Sequence, residues 1–153
     1  MALSRILVVD DFKDWRHAVR STLEKDPELR VVGEASDGVE AVQKAGELKP
    51  DLIVLDIVLP KINGLKAAVQ ISKVSPLSKL LFLSQDNDAD MIQAAFSSGA
   101  SGYVHKLSAA TQLLTAVVAV LQNRSSVSSG TSCFRMDCES IGTALDIEAF
   151  VRA

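Results

Sequence analysis

Short apolar runs alternate with stretches of helical periodicity five times along this chain. The runs are Ile6–Val9, Arg30–Ala35, Leu52–Leu55, Lys79–Leu83 and Ser101–Val104. Leu52–Leu55 is apolar at every position, the pattern of a strand covered on both faces, as in a parallel sheet. Between the runs, apolar residues recur at helical spacing. A first helix is predicted over Lys13–Glu24, with Trp15, Val19 and either Thr22 or Leu23 on one face, stopped by Asp26-Pro27. A second starts at Asp37, where Glu40 completes a capping-box-like pair, and turns Val39, Val42 and Ala45 inward until Lys49-Pro50. A third covers Leu65–Lys73 and stops at Ser75-Pro76. A fourth covers Ala89–Ser98, with Gly99 as its stop. Ser108 caps the last, whose inner face is expected to carry Leu114, Val117, Val118 and Leu121.

Strands and helices in strict alternation imply an α/β fold with right-handed crossovers and helices on both faces of the sheet. The expectation is a flavodoxin-like, doubly wound, five-stranded parallel sheet of order 2-1-3-4-5. Its ligand crevice would lie at the carboxyl ends of strands 1 and 3. The residues that follow the strands are therefore the chemically interesting ones. Asp10 and Asp11 follow the first strand, and Asp56 follows the third, before Pro60 and Asn63-Gly64 break the chain into a turn. Ser84 and Lys106 follow the fourth and fifth, so all five residues converge on one rim.

Composition narrows the classes. The 153 residues suffice for one domain with a sizeable core, and 48% hydrophobic with 23% charged residues is ordinary for a globular protein. A net charge of −3 argues against direct nucleic-acid binding, which needs a basic face. No apolar run reaches membrane-spanning length, and the amino terminus lacks the form of a signal peptide. Cys133 and Cys138 fit no metal or redox spacing and read as free thiols, which points to the cytoplasm. After Gln122 the character changes. Residues 1–122 read as the domain, 123–132 as a flexible Ser-rich linker, and 133–153 as a short tail with no independent domain.

Three carboxylates crowded at one rim repel one another unless a cation sits among them. Hard oxygen ligands with room for water suit Mg²⁺. Asp56 is then placed both to touch the metal and to attack phosphorus as a nucleophile, since carboxylates form acyl phosphates. Lys106 supplies a positive point charge and Ser84 a hydroxyl donor for a phosphoryl group.

These residues carry a resemblance. Residues 4–122 resemble the receiver domain of two-component response regulators, through V-V-D-D at 8–11, D-I-V-L-P-K-I-N-G at 56–64, F-L-S at 82–84 and G-Y-V-H-K at 102–106. The resemblance implies Asp56 as phospho-acceptor, with Asp10, Asp11 and Asp56 binding Mg²⁺, Asp11 more directly than Asp10. It implies that Val58 lends a backbone carbonyl to the metal, and that Ser84 and Tyr103 act as a switch pair. It also implies a sensor histidine kinase or a small acyl phosphate as donor. The G-Y-V-H-K and S-A-A-T-Q-L-L segments are most similar to the branch that usually carries a helix-turn-helix output, which is not seen here. Leu107 stands where the family has proline, so a trans or locally strained Lys106–Leu107 bond is expected, because a cis bond without proline costs about 2.5–4 kcal/mol. An apolar Val58 beside the acceptor suggests a long-lived aspartyl phosphate.

Outside the rim, His17 and His105 are expected on the surface, Trp15 as a packing residue, and Asp14 and Asp86 near helix starts. The leading function is a phosphorylation-controlled switch that docks a partner or forms a homodimer, catalysing nothing beyond its own phosphorylation and dephosphorylation. The alternative is a phosphorylation-independent interaction module. A third class, an enzyme such as a phosphatase or flavin protein, lacks a P-loop, a G-x-G-x-x-G run and a nucleophile elbow.

Overall fold

The computed structural model describes residues 3–85, 88–122 and 149–151. The predicted alternation is present as β1 (Ser4–Val9), α1 (Lys13–Leu23), β2 (Leu29–Ala35), α2 (Gly38–Leu48), β3 (Leu52–Leu55), α3 (Gly64–Val74), β4 (Lys79–Ser84), α4 (Ala89–Ser97), β5 (Gly102–His105) and α5 (Ala109–Gln122). The five parallel strands run in the order β2-β1-β3-β4-β5.

Alternate residues of each strand feed two cores, as the period of two requires. Leu7, Val9, Ile53, Leu55 and Phe82 pack with Ala41, Ala45, Ala67, Ile71 and Ile92 under α2, α3 and α4. Ile6, Val8, Leu52, Val54 and Leu81 pack with Val19, Leu23, Leu113 and Val117 under α1 and α5. Both faces are covered, so β3 is buried along its whole length, and its apolar run needs no polar face.

Two helix faces differ from the predicted ones. Val39 is exposed and Val42 only flanks the core, while Gly38, Ala41 and Ala45 are the buried positions of α2, Ala45 as predicted. Small residues lie inward there because α2 packs closely on α3. In α5 the buried residues are Ala109, Leu113, Ala116, Val117 and Val120, with Leu114 and Leu121 only flanking the core. That helix is apolar on nearly every side, so periodicity alone could not select the face. Ser108, the expected cap, directly precedes α5. It closes a 3₁₀ turn over Lys106–Ser108 that leads straight into α5. Gly99 does mark the end of α4, at φ 111°.

The tail contributes a strand that its sequence did not announce. β6 (Ala149–Val151) pairs antiparallel with β5, setting Phe150 opposite Tyr103. The β5 edge is thereby covered, which removes a row of unpaired backbone groups. Residues 123–148, with the predicted linker, Cys133 and Cys138, lie outside the described residues. Losing β6 would re-expose that edge, and one lost ladder hydrogen bond is worth about 1 kcal/mol. A chain ending before Ala149 is therefore expected to show amide exchange along β5 about fivefold faster or more, with β1 and β3 unchanged; hydrogen exchange read by mass spectrometry checks it.

Candidate functional site

Each site residue is delivered by the end of a strand. The Asp56 backbone N–H donates to the Val9 carbonyl at 3.1 Å, and that of Asp10 donates to the Ala35 carbonyl at 3.1 Å. These bonds lock the ends of β3, β1 and β2 side by side. Ser84 is the last residue of β4, and Lys106 is the first after β5. Beyond Asp56 the chain must turn sharply to start α3. Gly64 permits it: a Cβ there would stand 2.1 Å from the Asp56 carbonyl oxygen. Asn63 then caps α3, its side chain accepting from the Lys66 N–H at 2.9 Å.

Lys106 ties the rim together. Its Nζ donates to Asp10 Oδ2 at 2.8 Å and to Asp56 Oδ2 at 3.0 Å, and all three residues are buried. The other Asp10 oxygen accepts from the Phe12 N–H at 2.9 Å. Among the described residues the other Asp56 oxygen accepts from the Val58 N–H alone, at a long 3.4 Å. Asp11 is exposed, yet one carboxylate oxygen from each of Asp10, Asp11 and Asp56 lies within 4.8 Å of the others. These groups line a cleft of about 400 Å³ together with Ser84, Gln85, Phe12, Trp15 and Val58.

The electrostatics follow from burial and partners. Burial pushes the Asp56 carboxyl above its ordinary value, with Asp10 adding to the effect and Lys106 opposing it. Burial would pull the Lys106 ammonium down, but its bonds to Asp10 and Asp56 outweigh that and hold it above its usual range. Three carboxylates against one ammonium leave a formal −2 at the rim. A divalent cation is the simplest complement to that charge, and an all-oxygen donor set fits a hard one.

The structure thus brings Asp10, Asp11, Asp56, Ser84 and Lys106 into one cleft, with Val58 at its mouth and 68% exposed. Tyr103 sits on the neighbouring strand, buried in the core under α4. No described peptide bond is cis, so Lys106–Leu107 is trans, as expected. His17 is exposed, but His105 is not on the surface. It is buried, and its Nε2 lies 2.8 Å from the Gln85 carbonyl oxygen, tying β5 to the loop after β4. A strand shielded by α4 and α5 leaves no outward position there. Asp14 lies in the exposed first turn of α1, and Asp86 is outside the described residues.

Sequence reasoning missed a brace beneath the site. Arg16 donates to the Asp10 carbonyl at 2.7 Å and to Glu34 Oε1 at 3.0 Å, while Arg20 reaches Glu34 Oε2 at 3.1 Å. Nothing in the spacing of Arg16 and Glu34, on α1 and β2, announces this contact. Burial would raise the Glu34 carboxyl, but the two guanidiniums outweigh it and hold it below its ordinary value. A carboxyl that releases its proton more readily when folded contributes stability above its unfolded pKa, about 4.3, and loses it as pH falls. Glu34→Gln is therefore expected to cost about 1 kcal/mol at pH 7 and to flatten the loss of stability below pH 5. Urea unfolding across pH 3–7 measures both.

Comparison with known proteins agrees with this geometry. The family model described as response regulator receiver domain matches residues 6–118. A putative transcriptional regulator of Pseudomonas aeruginosa is 40% identical over 119 residues, 78% of this chain and 57% of its own length. Chemotaxis protein CheY of Listeria monocytogenes is 35% identical over 113 residues, 74% of this chain and 94% of its own. The crystal structure of a LuxR-family two-component response regulator from Aurantimonas sp. superposes with a TM-score of 0.78 at 31% identity, covering 93% of this chain and 96% of that one. The chain spans about half the length of the transcriptional regulators it matches, 57%, 54% and 50%. With the fold, the rim and the matched residues in agreement, the chain belongs to the family of response-regulator receiver domains of two-component systems.

Proposed function

We propose that this chain is a phosphorylation-controlled switch in which Asp56 accepts a phosphoryl group from a phosphohistidine on a sensor histidine kinase, or from a small acyl phosphate. The observation that carries the reading is the position of Lys106, hydrogen-bonded to both Asp10 and Asp56 inside a cleft that also holds Asp11. An Asp56 carboxylate oxygen attacks phosphorus. The new P–O bond forms as the donor's P–N or P–O bond breaks, and the leaving group keeps the electron pair. Lys106 is placed to exchange one carboxylate contact for a phosphoryl oxygen, and Ser84 to offer a hydroxyl to another. Asp10, Asp11 and Asp56, with the Val58 carbonyl, would hold Mg²⁺. When bound, that ion spreads the negative charge of the phosphoryl group and relieves the formal −2 of the rim.

Asp10 has both oxygens engaged by protein donors, which leaves the exposed Asp11 as the more direct ligand. Ser84 and Tyr103 form the switch pair, and its readout is the surface of α4, β5 and α5, where a partner docks or a second copy pairs. In this reading residues 1–122 are the receiver domain, 123–132 a linker and 133–153 a tail. The chain acts in the cytoplasm, binds no nucleic acid directly, and catalyses nothing beyond its own phosphorylation and dephosphorylation. Among the described residues no helix is long and apolar enough to cross a membrane.

Val58 projects an apolar, exposed side chain at the mouth, which cannot hydrogen-bond a water attacking phosphorus. The aspartyl phosphate is accordingly long-lived. Incubation with acetyl phosphate and Mg²⁺, followed by intact mass, is expected to show one added phosphoryl group, absent from Asp56→Asn. After donor removal, Val58→Asn is expected to lose the group several-fold faster. A wild-type mass that never changes would support the phosphorylation-independent module instead.

A further inference from the structure

Lys106 has a third neighbour besides its two carboxylates. Its Nζ lies 4.9 Å from the centre of the Trp15 ring, within the range of a cation–π contact. An ammonium has three N–H donors, and Asp10 and Asp56 take two of them. The ring stands in the first turn of α1, half-buried and packed against the core formed by α1 and α5. Trp15 also borders both the acidic cleft and a second hollow of about 160 Å³ between α1 and α5. It is the single tryptophan of the chain.

We propose that Trp15 is a positioning residue for Lys106, holding the ammonium at the cleft while its bond to Asp56 is exchanged for one to the incoming phosphoryl group. The inference deepens the phospho-acceptor reading and rests on it. In the unphosphorylated protein the two carboxylates already fix Lys106, so the ring adds little. During transfer the Asp56 oxygen turns to phosphorus and one of the two anchors is lost. The neighbouring Leu107 is 88% exposed and packs on little, so it does not restrain the lysine. The aromatic face then remains as a contact that lets the ammonium pivot without directing it to one acceptor. An attraction of this kind has no fixed hydrogen-bond direction, and it is strongest for indole. A residue that merely fills space would do the same work as leucine or methionine.

The test compares wild type, Trp15→Phe, Trp15→Leu and Trp15→Met, the last two removing the aromatic face at different volumes. Initial phosphorylation rates are measured by intact mass against acetyl phosphate concentration at saturating Mg²⁺. Trp15→Leu and Trp15→Met are expected to lower the maximal rate roughly three- to tenfold, with the KM for acetyl phosphate changed less than twofold. Trp15→Phe is expected to recover at least half of the loss. The ε-methylene protons of Lys106 should lie upfield in the wild-type NMR spectrum and move downfield in both aliphatic variants. Wild-type maximal rates in the aliphatic variants, or a Trp15→Phe protein as slow as they are, would overturn the proposal alone. A wild-type chain that takes up no phosphoryl group would instead sink the phospho-acceptor reading, and this inference with it.

Discussion

The carboxyl edge of this sheet depends on one buried ammonium facing several carboxylates. Lys106 reaches Asp10 and Asp56 at 2.8 and 3.0 Å, across 96 and 50 residues of sequence. Removing one partner of such a buried pair leaves an uncompensated charge and commonly costs about 3–5 kcal/mol. The arrangement nevertheless stays short of neutral, because Asp11 brings a third carboxylate to the cluster against the single ammonium of Lys106. Stability and function therefore pull in different directions at the rim. One lysine suffices to make the acidic cleft foldable, while the remaining negative charge keeps it receptive to a cation.

The scaffold converts strand order into that charge cluster. Parallel pairing aligns the ends of β1, β3, β4 and β5, so a residue placed just after each strand needs no long-range signal to meet the others. The two cores that hold the sheet between its helices set the precision. Gly64 lets α3 begin against the Asp56–Ile57 backbone, and the Arg16–Glu34 pair clamps the Asp10 carbonyl from the other side. Asp10 is thus fixed through its main chain as well as its carboxylate.

Much of this was legible in the residues themselves. Strand positions showed as unbroken apolar runs, and the site showed as polar residues terminating them. What escaped the sequence shares a physical cause. The inward face of α5 was ambiguous because Leu113, Leu114, Val117, Val118 and Leu121 offer several equivalent apolar stripes. Val39 looked inward because it is larger than Ala41, whereas the close approach of α2 and α3 selects the smaller residue. His105 and Trp15 take their roles from neighbours distant in sequence, Gln85 and Lys106. The strand Ala149–Val151 is three residues long, too short for a period of two to register.

The negative charge gathered by Asp10, Asp11 and Asp56 makes the rim a candidate binding site for a divalent ion. The most direct measurement is the thermal midpoint of the full chain with and without millimolar Mg²⁺, in wild type and in Asp11→Asn. At a tenfold excess over the dissociation constant, linkage predicts about 1.4 kcal/mol of stabilisation. That is a rise of a few degrees, about 3–6 °C for a domain of this size, largely absent from the variant. A midpoint that Mg²⁺ leaves unmoved, or moves equally in both proteins, would contradict the account.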